Sequence, residues 1–567
     1  MKKEMSMEVR LLLAFGLMGL VLLVSNYFIK PAPAPIATKT GAQKSARPVT
    51  PEAVQKPEAP AAVKPGTAAK SGEPAAAVQA DKEETITVET DVYRVVLSNR
   101  GAVVKSWVLT HYQDHQRKPL ELVNQSALAK VAAPFSLVFK GQGPATDPNA
   151  ALFKTQRSAD GLEVAFEFSD GRAFTKKSFH FEKASYLAGV TSEVTQSGVQ
   201  LPHSLVWRGG FGDATVPNQA AVEHAIYFDQ PNAKLQVKTA KDAGDGPLGA
   251  SGQFSFVGIE DSYFAAAFLP GSKPSIEQTT YSDSVPDAKG ADVPRVGMGV
   301  GGDGVNQLSL FVGPKDTDLL KKVNPRLEQV VDWGTYLGFI AKQLFVLLNW
   351  TSDHMTHNFG WAIVLVTVGI NILMFPLKIS SVKSAKRMQA LQPQIAAINE
   401  RYKGASMKNR DKQNEKNAEV MALYKSNGVN PVGGCLPLLI QMPFLYAFYT
   451  VLSVSIELRG ANWLWIGDLS QAENLPALSG MRFLPVLLIV TQFAMQKMTP
   501  SPGMDPTQQK MMMLMPLVFG FMFWSASSGL VLYWLTGNMV GIAQQLLLNQ
   551  WMPTPTVTPQ KAPGKKK

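Results

Sequence analysis

The residues best placed to do work in this sequence are polar ones set inside apolar runs. In the stretch Phe359–Lys378, FGWAIVLVTVGINILMFPLK, Thr367 and Asn371 stand one helical turn apart and therefore share a face. Gln492 and Gln496 repeat that spacing, Asn538 follows Trp534 by one turn, and Gln441 lies between Pro437 and Pro443. Amides and hydroxyls in hydrocarbon are costly unless they meet partners or water, so such faces either bridge helices or line a wet cavity. Both readings stay open for Gln441, Gln492 and Gln496. Asn371, deep in its run and paired with Thr367, is expected to line the cavity.

The chemistry this allows is solvation of another chain's polar groups, with no bond made or broken. The sequence has no G-x-x-x-x-G-K-[ST] loop and no H-E-x-x-H, so neither nucleotide nor zinc hydrolysis has a motif to rest on. The apolar runs carry no acidic residue that would serve a proton relay. Glu260, Asp261 and His224 have the types of a carbohydrate site, but no spacing ties them together, and they are expected to be scattered surface polar groups. A single cysteine, Cys435, excludes an internal disulfide, so an exported domain must hold together through its core. The net charge of +11 would suggest nucleic acid in a soluble protein. Here the basic residues cluster beside apolar runs, where orientation and anionic lipid headgroups account for them.

The elements that must position these groups follow in chain order. Residues 1–30 place Lys2, Lys3 and Arg10 ahead of an apolar run, read as an uncleaved transmembrane anchor with its basic end in the cytoplasm; the competing reading is a signal peptide cut near Ala32-Pro33-Ala34. Residues 31–82 are a Pro/Ala-rich tether. From Glu83 to Pro325 short alternating segments separated by turn signals such as Asn99-Arg100-Gly101 and Asp170-Gly171 predict a large all-β sandwich outside the cytoplasm. The segments are TITVET, VYRVVLS, AVVKSWVL, FSLVF, LEVAFEF, KSFHF, HSLVW, FSFVGI, YFAAAFL and LSLFVG.

Residues 326–350 bring Leu337, Ile340, Ala341, Leu344, Leu347 and Leu348 to one helical face, predicting an amphipathic helix in the headgroup plane or, alternatively, packed on the β domain. A membrane core covers 358–550. Within it, the basic excursion 379–430 predicts a cytoplasmic helical hairpin with Met388, Leu391, Ile395, Ile398 and Tyr402 as its seam and a bend at Pro393. Spans are expected at 359–378, 432–455 and 483–498. The uncharged run 511–549 would extend ~58 Å as one helix, so it is expected to turn back at Ser525–Gly529. Residues 551–567 form a basic tail. The fold class expected is therefore a mixed membrane protein: six α-helical spans, namely an N-terminal anchor and a five-helix core, with both termini inside and the β domain in the periplasm.

At three places the sequence becomes specific. Asn430–Pro443, NPVGGCLPLLIQMP, resembles the signature opening the third span of the YidC/Oxa/Alb membrane insertases. DPTQQK at 505–510 and SGLVLYW at 528–534 resemble two further motifs of that family in the expected order. The resemblance implies a membrane protein insertase and chaperone of the bacterial inner membrane, without covalent catalysis or a small-molecule cofactor. Its exported domain would be a β-supersandwich. Its partners would be nascent membrane proteins, the Sec translocon, anionic lipids and, through the basic hairpin and tail, the ribosome. By position, it places substrate groove and slide contacts on Thr367, Asn371, Gln441, Met442, Leu445, Tyr533, Trp534 and Asn538, and a recruitment surface on Lys383, Lys386, Arg387, Arg401 and Lys403. One departure stands out: the family usually has a groove arginine five residues before the Pro-Leu pair, and here that position is Asn371. No other residue deep in a span is expected to supply positive charge. The rival reading is a transporter or channel for a small polar solute, which would often show an internal repeat; no half repeats among these spans.

Overall fold

The computed structural model describes residues 77–552 apart from 115, 217–218, 272–274, 288–289, 335–336, 403–409, 430–435, 476–479 and 499–505. The anchor at 1–30, the tether up to residue 76, Lys403, the Asn430–Cys435 half of the first motif, Asp505 and the basic tail from 553 lie outside those residues. All ten alternating segments are strands. They build three antiparallel sheets: a four-stranded meander from Thr85 to Glu121, a ten-stranded sheet and a five-stranded sheet. One aromatic core joins them. Trp107 of the meander meets Trp207 of the five-stranded sheet at 6.5 Å between ring centroids. Phe135 packs edge-on against Trp207 at 5.9 Å and against Phe179 of the large sheet at 5.3 Å. Edge-to-face packing of this kind adds to the burial of the rings themselves.

The opposite face of the large sheet is covered by helix α1, Thr317–Val323, whose N-terminus is capped by Asp316 accepting from the Leu319 amide at 2.8 Å. Leu320 of α1, with Leu327 and Val330 of the following 3-10 turn, buries against Ile226, Phe228, Phe256 and Phe311. The expected helix over 326–350 is therefore two pieces. Helix α2 begins only at Gly338 and runs to Thr351, because Pro325 and the left-handed Gly334 break the backbone before it. Leu347, expected on its buried face, is exposed, and Phe345 is buried instead. Helix α2 packs on helix α7, Leu436–Val454, and on helix α3, Phe359–Leu373.

Among the described residues no single helix is both long and apolar enough to cross a bilayer alone; Gly338–Thr356 and Phe359–Leu373 pass together, across a bend of 113°. Helix α3 stops at Met374 and helix α4, Phe375–Ala390, takes over. Pro376 lacks the N–H that would have bonded the Ile372 carbonyl. The hairpin, Lys386–Pro431, is a separate compact unit. There α4 and helix α5, Gln392–Arg401, meet helix α6, Arg410–Ser426, through buried Met388, Leu391, Ile395, Tyr424 and Val429. The break falls at Leu391, just ahead of Pro393. The remaining helices are α8, Phe483–Met498, α9, Pro506–Phe523, and α10, Ser528–Trp551, so the long uncharged run does break at Trp524–Ser527.

A fully buried lysine anchors the turn between the second and third strands of the β domain. Gly101 has φ +72°, and a Cβ there would collide with the Asn149 carbonyl, so only glycine fits. Two carbonyls of that turn are taken up by Lys177 Nζ, which donates to Gly101 O at 2.7 Å and Ala102 O at 3.3 Å, and also to the more distant Phe135 O at 2.8 Å. Burial pulls the Lys177 pKa down to about 7 from the ordinary 10.5. Above pH 7 the unfolded chain then holds a proton that the folded chain has released, so this group makes stability rise with pH between 7 and 10.5 and flat below 7. The slope is at most about 1.4 kcal/mol per pH unit. Hydrogen exchange of the β-domain core between pH 7.5 and 9 should show protection rising by up to about 2 kcal/mol, after correction for intrinsic exchange rates. The Lys177→Met variant should be less protected overall and lose that slope.

Candidate functional site

The site is built on α10. Trp534, Asn538, Gly541 and Gln544 step by four and three along it, a polar and small-residue stripe at helical spacing on a helix with no charge. Each member meets a group on a neighbouring helix. Asn538 Nδ2 donates to Gln492 Oε1 of α8 at 2.8 Å and to Thr491 Oγ1 at 3.2 Å, and Trp534 Nε1 donates to the same Gln492 oxygen at 3.3 Å. Gln544 Nε2 donates to the Asn371 carbonyl of α3 at 3.1 Å. Lys378 Nζ of α4 donates to Gln544 Oε1 at 3.0 Å and to the Gly541 carbonyl at 3.2 Å. Gly541 is small because a Cβ there would sit 2.9 Å from Met495 Sδ and 3.3 Å from Lys378 Nζ. The seam thus runs from α8 across α10 to α3 and α4.

The expected site residues divide between this seam and its support. Thr367 is fully buried and its hydroxyl donates back to the Ile363 carbonyl at 2.6 Å, so it shows no surface. Asn371 is half-buried, with its amide on the Thr367 carbonyl at 2.8 Å. Tyr533 stacks on Phe448 of α7 with ring centroids 4.0 Å apart and hydrogen-bonds the Gln441 side chain. Tyr533 and Leu445 are buried, while Gln441 and Met442 are half-buried. Gln492 bridges α8 to α10, and Gln496 donates to the Met512 carbonyl of α9, so both are helix bridges. In the hairpin, Lys383 and Arg387 are exposed, Arg401 pairs with Glu419 at 2.6 Å, and Lys386 is withdrawn to 6 % exposure, which removes it from an exposed recruitment face.

Three corrections follow. Positive charge is not absent from the wall: Lys378, the last residue of the expected span 359–378, is half-buried with its ammonium on α10. Among the described residues no carboxylate pairs with it. Gln544 and Gly541, missed in the sequence, share the stripe of Trp534 and Asn538, and that spacing was the signal available. Finally, Glu260 and Asp261 are not surface groups, and His224 is half-buried beside Glu260. Glu260 is buried with Lys315 at 2.9 Å and lies 3.6 Å from His224, while Asp261 accepts the Tyr263 and Phe264 amides at 2.8 and 2.7 Å.

Around the seam the helices turn large apolar side chains outward. Leu373 is 78 % exposed and Phe521 84 %, with Ile372, Val490, Leu514 and Val518 beside them in character. In water such a surface would drive association; in lipid it is the ordinary exterior.

Comparison with known proteins identifies the family of the chain. Residues 350–555 match the family model for the 60Kd inner membrane protein, and residues 85–347 match that for the YidC periplasmic domain. The membrane protein insertase YidC of Syntrophus aciditrophicus (strain SB) is 32% identical over 568 residues, covering 96% of this chain and 100% of its own length. That of Geobacter sp. (strain M21) is 35% identical over 483 residues, 82% of this chain and 85% of its own. A crystal structure of an active YidC insertase with its first transmembrane domain resolved is 20% identical, with a TM-score of 0.35, over 82% of this chain and 93% of the other. The chain belongs to the YidC family of membrane protein insertases.

Proposed function

We propose that this protein takes up the polar terminus or loop of a nascent membrane protein along the seam of α3, α4, α8 and α10 and passes its apolar segment onto the outward-facing helices. The observation that carries this is the juxtaposition of the two surfaces. Amides, one ammonium and two backbone carbonyls follow one stripe of α10 among helices whose other faces are large and apolar. Moving an unpaired amide or hydroxyl through hydrocarbon costs roughly 2–7 kcal/mol. Groups that already hydrogen-bond one another can exchange those bonds for a substrate's at small net cost, and the membrane potential adds up to ~2.3 kcal/mol per charge per 100 mV. The half-buried Asn371, Gln441 and Met442 are the contact residues in this reading, with the buried Thr367, Leu445, Tyr533, Trp534 and Asn538 packing behind them.

In this reading the protein lies in the bacterial inner membrane with six spans, both termini in the cytoplasm and the β domain in the periplasm. It works alone or beside the Sec translocon. Lys383, Arg387 and Arg401 of the hairpin, with Lys403 and the terminal lysines, attract ribosomal phosphate, and anionic lipid is the second partner of the same charges.

Lys378 gives the groove a preference. Its ammonium is held by neutral acceptors, so an acidic group entering the seam gains a charge-assisted hydrogen bond of about 1.5–3 kcal/mol. A photoreactive residue at Asn371 or Met442 should crosslink a ribosome-stalled nascent membrane protein; no crosslink at either position would remove the groove. Replacing Lys378 by Gln should slow insertion of a substrate with an acidic translocated tail about tenfold while sparing a tail of neutral amides. Equal loss on both tails would mean that Lys378 only holds α4 to α10.

A further inference from the structure

The connection between α7 and α8 links two parts of the molecule that the groove does not explain. Its first turn enters the β domain. Ile456 is 4 % exposed and belongs to the β-domain core. Arg459 follows, with its side chain 4 % exposed: the guanidinium pairs with Asp213, donates to the Gln113 carbonyl at 3.0 Å, and lies over the rings of Tyr263 at 5.2 Å and Phe264 at 5.3 Å. The pocket is prepared for it. Asp213 is itself buried, its other oxygen accepts the Thr215 amide at 2.9 Å, and its own amide donates to Asp261 at 3.1 Å. Gly212, at φ +91°, leaves room for the Asp261 carboxylate that a Cβ would strike. Tyr263, under the guanidinium, is hydrogen-bonded to Ser470 further along the same connection.

The rest of the connection holds the first turns of three helices. The Asn462 carbonyl accepts from Asn358, the N-cap of α3, at 2.8 Å, and Trp463 fills the space beside Gly360 where a Cβ would collide. The Leu469 carbonyl accepts the Gly529 amide of α10 at 2.9 Å, and the Gln471 carbonyl accepts the Ser528 amide at 2.6 Å. Glu473 accepts the Leu484 amide of α8 at 2.6 Å and Trp465 Nε1 at 2.7 Å. These bonds satisfy helix-end amides that would otherwise lack partners.

We infer that residues 456–473 are a plate clamping the first turns of α3, α8 and α10, and that Arg459 latches this plate into the β domain, which serves as its buttress. Arg459 is a positioning residue: it touches none of the seam groups, and it fixes the end of the bundle from which the seam is hung. The β domain then has a mechanical role at the helix bundle, beyond binding any ligand of its own.

The test uses the full-length protein in membranes with Cys435→Ser as background. Cysteines at Arg117 and Gly467, where the Arg117 guanidinium reaches the glycine backbone so closely that a Cβ on Gly467 would lie 2.9 Å from Nη2, report the latch through bridging by a short bismaleimide. A cysteine at Leu469, fully buried in the plate, reports its tightness through modification by N-ethylmaleimide, a reagent that crosses membranes and is indifferent to topology. Arg459→Ala should lower bridging at least fivefold and raise Leu469 modification at least fivefold, and Arg459→Lys should restore part of both. Asp213→Asn, on the β-domain side, should reproduce the Ala phenotype and covers the case in which Arg459→Ala fails to fold, as judged by trypsin resistance of the β domain. Unchanged bridging in both variants overturns the latch. Bridging lost with Leu469 still protected overturns the buttress. Neither readout involves a substrate, so the outcome is separate from that of the groove.

Discussion

A polar group withdrawn from water must meet another polar group, and this constraint governs the membrane-facing helices and the β domain alike. On α10 it is met sideways: Asn538 turns to Gln492, Gln544 to the Asn371 carbonyl, and Lys378 arrives from α4 to take two acceptors. Because no carboxylate locks them, these bonds can be exchanged: those between amides are of the order of 0.5–1.5 kcal/mol each, and those of the Lys378 ammonium about 1.5–3 kcal/mol. In the β domain the same constraint is met by locked pairs. Arg295 with Glu223 at 2.7 Å and Lys315 with Glu260 at 2.9 Å are nearly inaccessible, and breaking such a pair costs about 3–5 kcal/mol. One part of the molecule is built for exchange of partners and the other for permanence.

The contrast assigns the two parts different work. Exchangeable bonds suit a surface that receives many sequences in turn, and the half-buried Met442 beside them adds an adaptable apolar contact. Permanent pairs suit a support. Arg459 has the second character although it belongs to the helical part of the chain, and its burial against Asp213, Tyr263 and Phe264 makes the join between the parts as firm as the β domain itself.

How much of this was legible in the sequence depended on whether side-chain type tracked burial. Ten strands were readable because Val, Phe and Trp alternate with polar residues. The strands Leu187–Gln196, Ile276–Pro286 and Asp292–Gly302 were not readable. Ser192, Gln278, Thr280, Asp283 and Arg295 are all buried there, so alternation is hidden by polar residues that have internal partners. The glycines of Asp292–Gly302 read as turn signals, yet Gly301 is there because the neighbouring strand passes so close that a Cβ would strike the His203 carbonyl. At the helices, apolar runs and the break before Ser528 were visible, as was the polar face of Asn371. Lys378 was not, because a lysine next to a Pro-Leu pair marks the end of a span on charge counting alone. Its long stem lets the ammonium lie in the wall while the Cα marks the boundary.

That long stem also reorders the meaning of Asn371. The Asn371 side chain lacks charge, but the backbone carbonyl at this position receives Gln544 Nε2, while Gln544 Oε1 accepts from Lys378. A glutamine offers one donor and one acceptor end, and at Gln544 both are engaged, Nε2 on α3 and Oε1 on α4. The positive charge of the seam is therefore displaced two turns along the chain from Asn371 and tied to it through one side chain on a third helix. A glutamate at 544 would keep the acceptor and lose the donor, pairing with Lys378 and cancelling the charge, whereas glutamine holds the ammonium without neutralising it. The choice of an amide at 544 is what leaves this wall cationic.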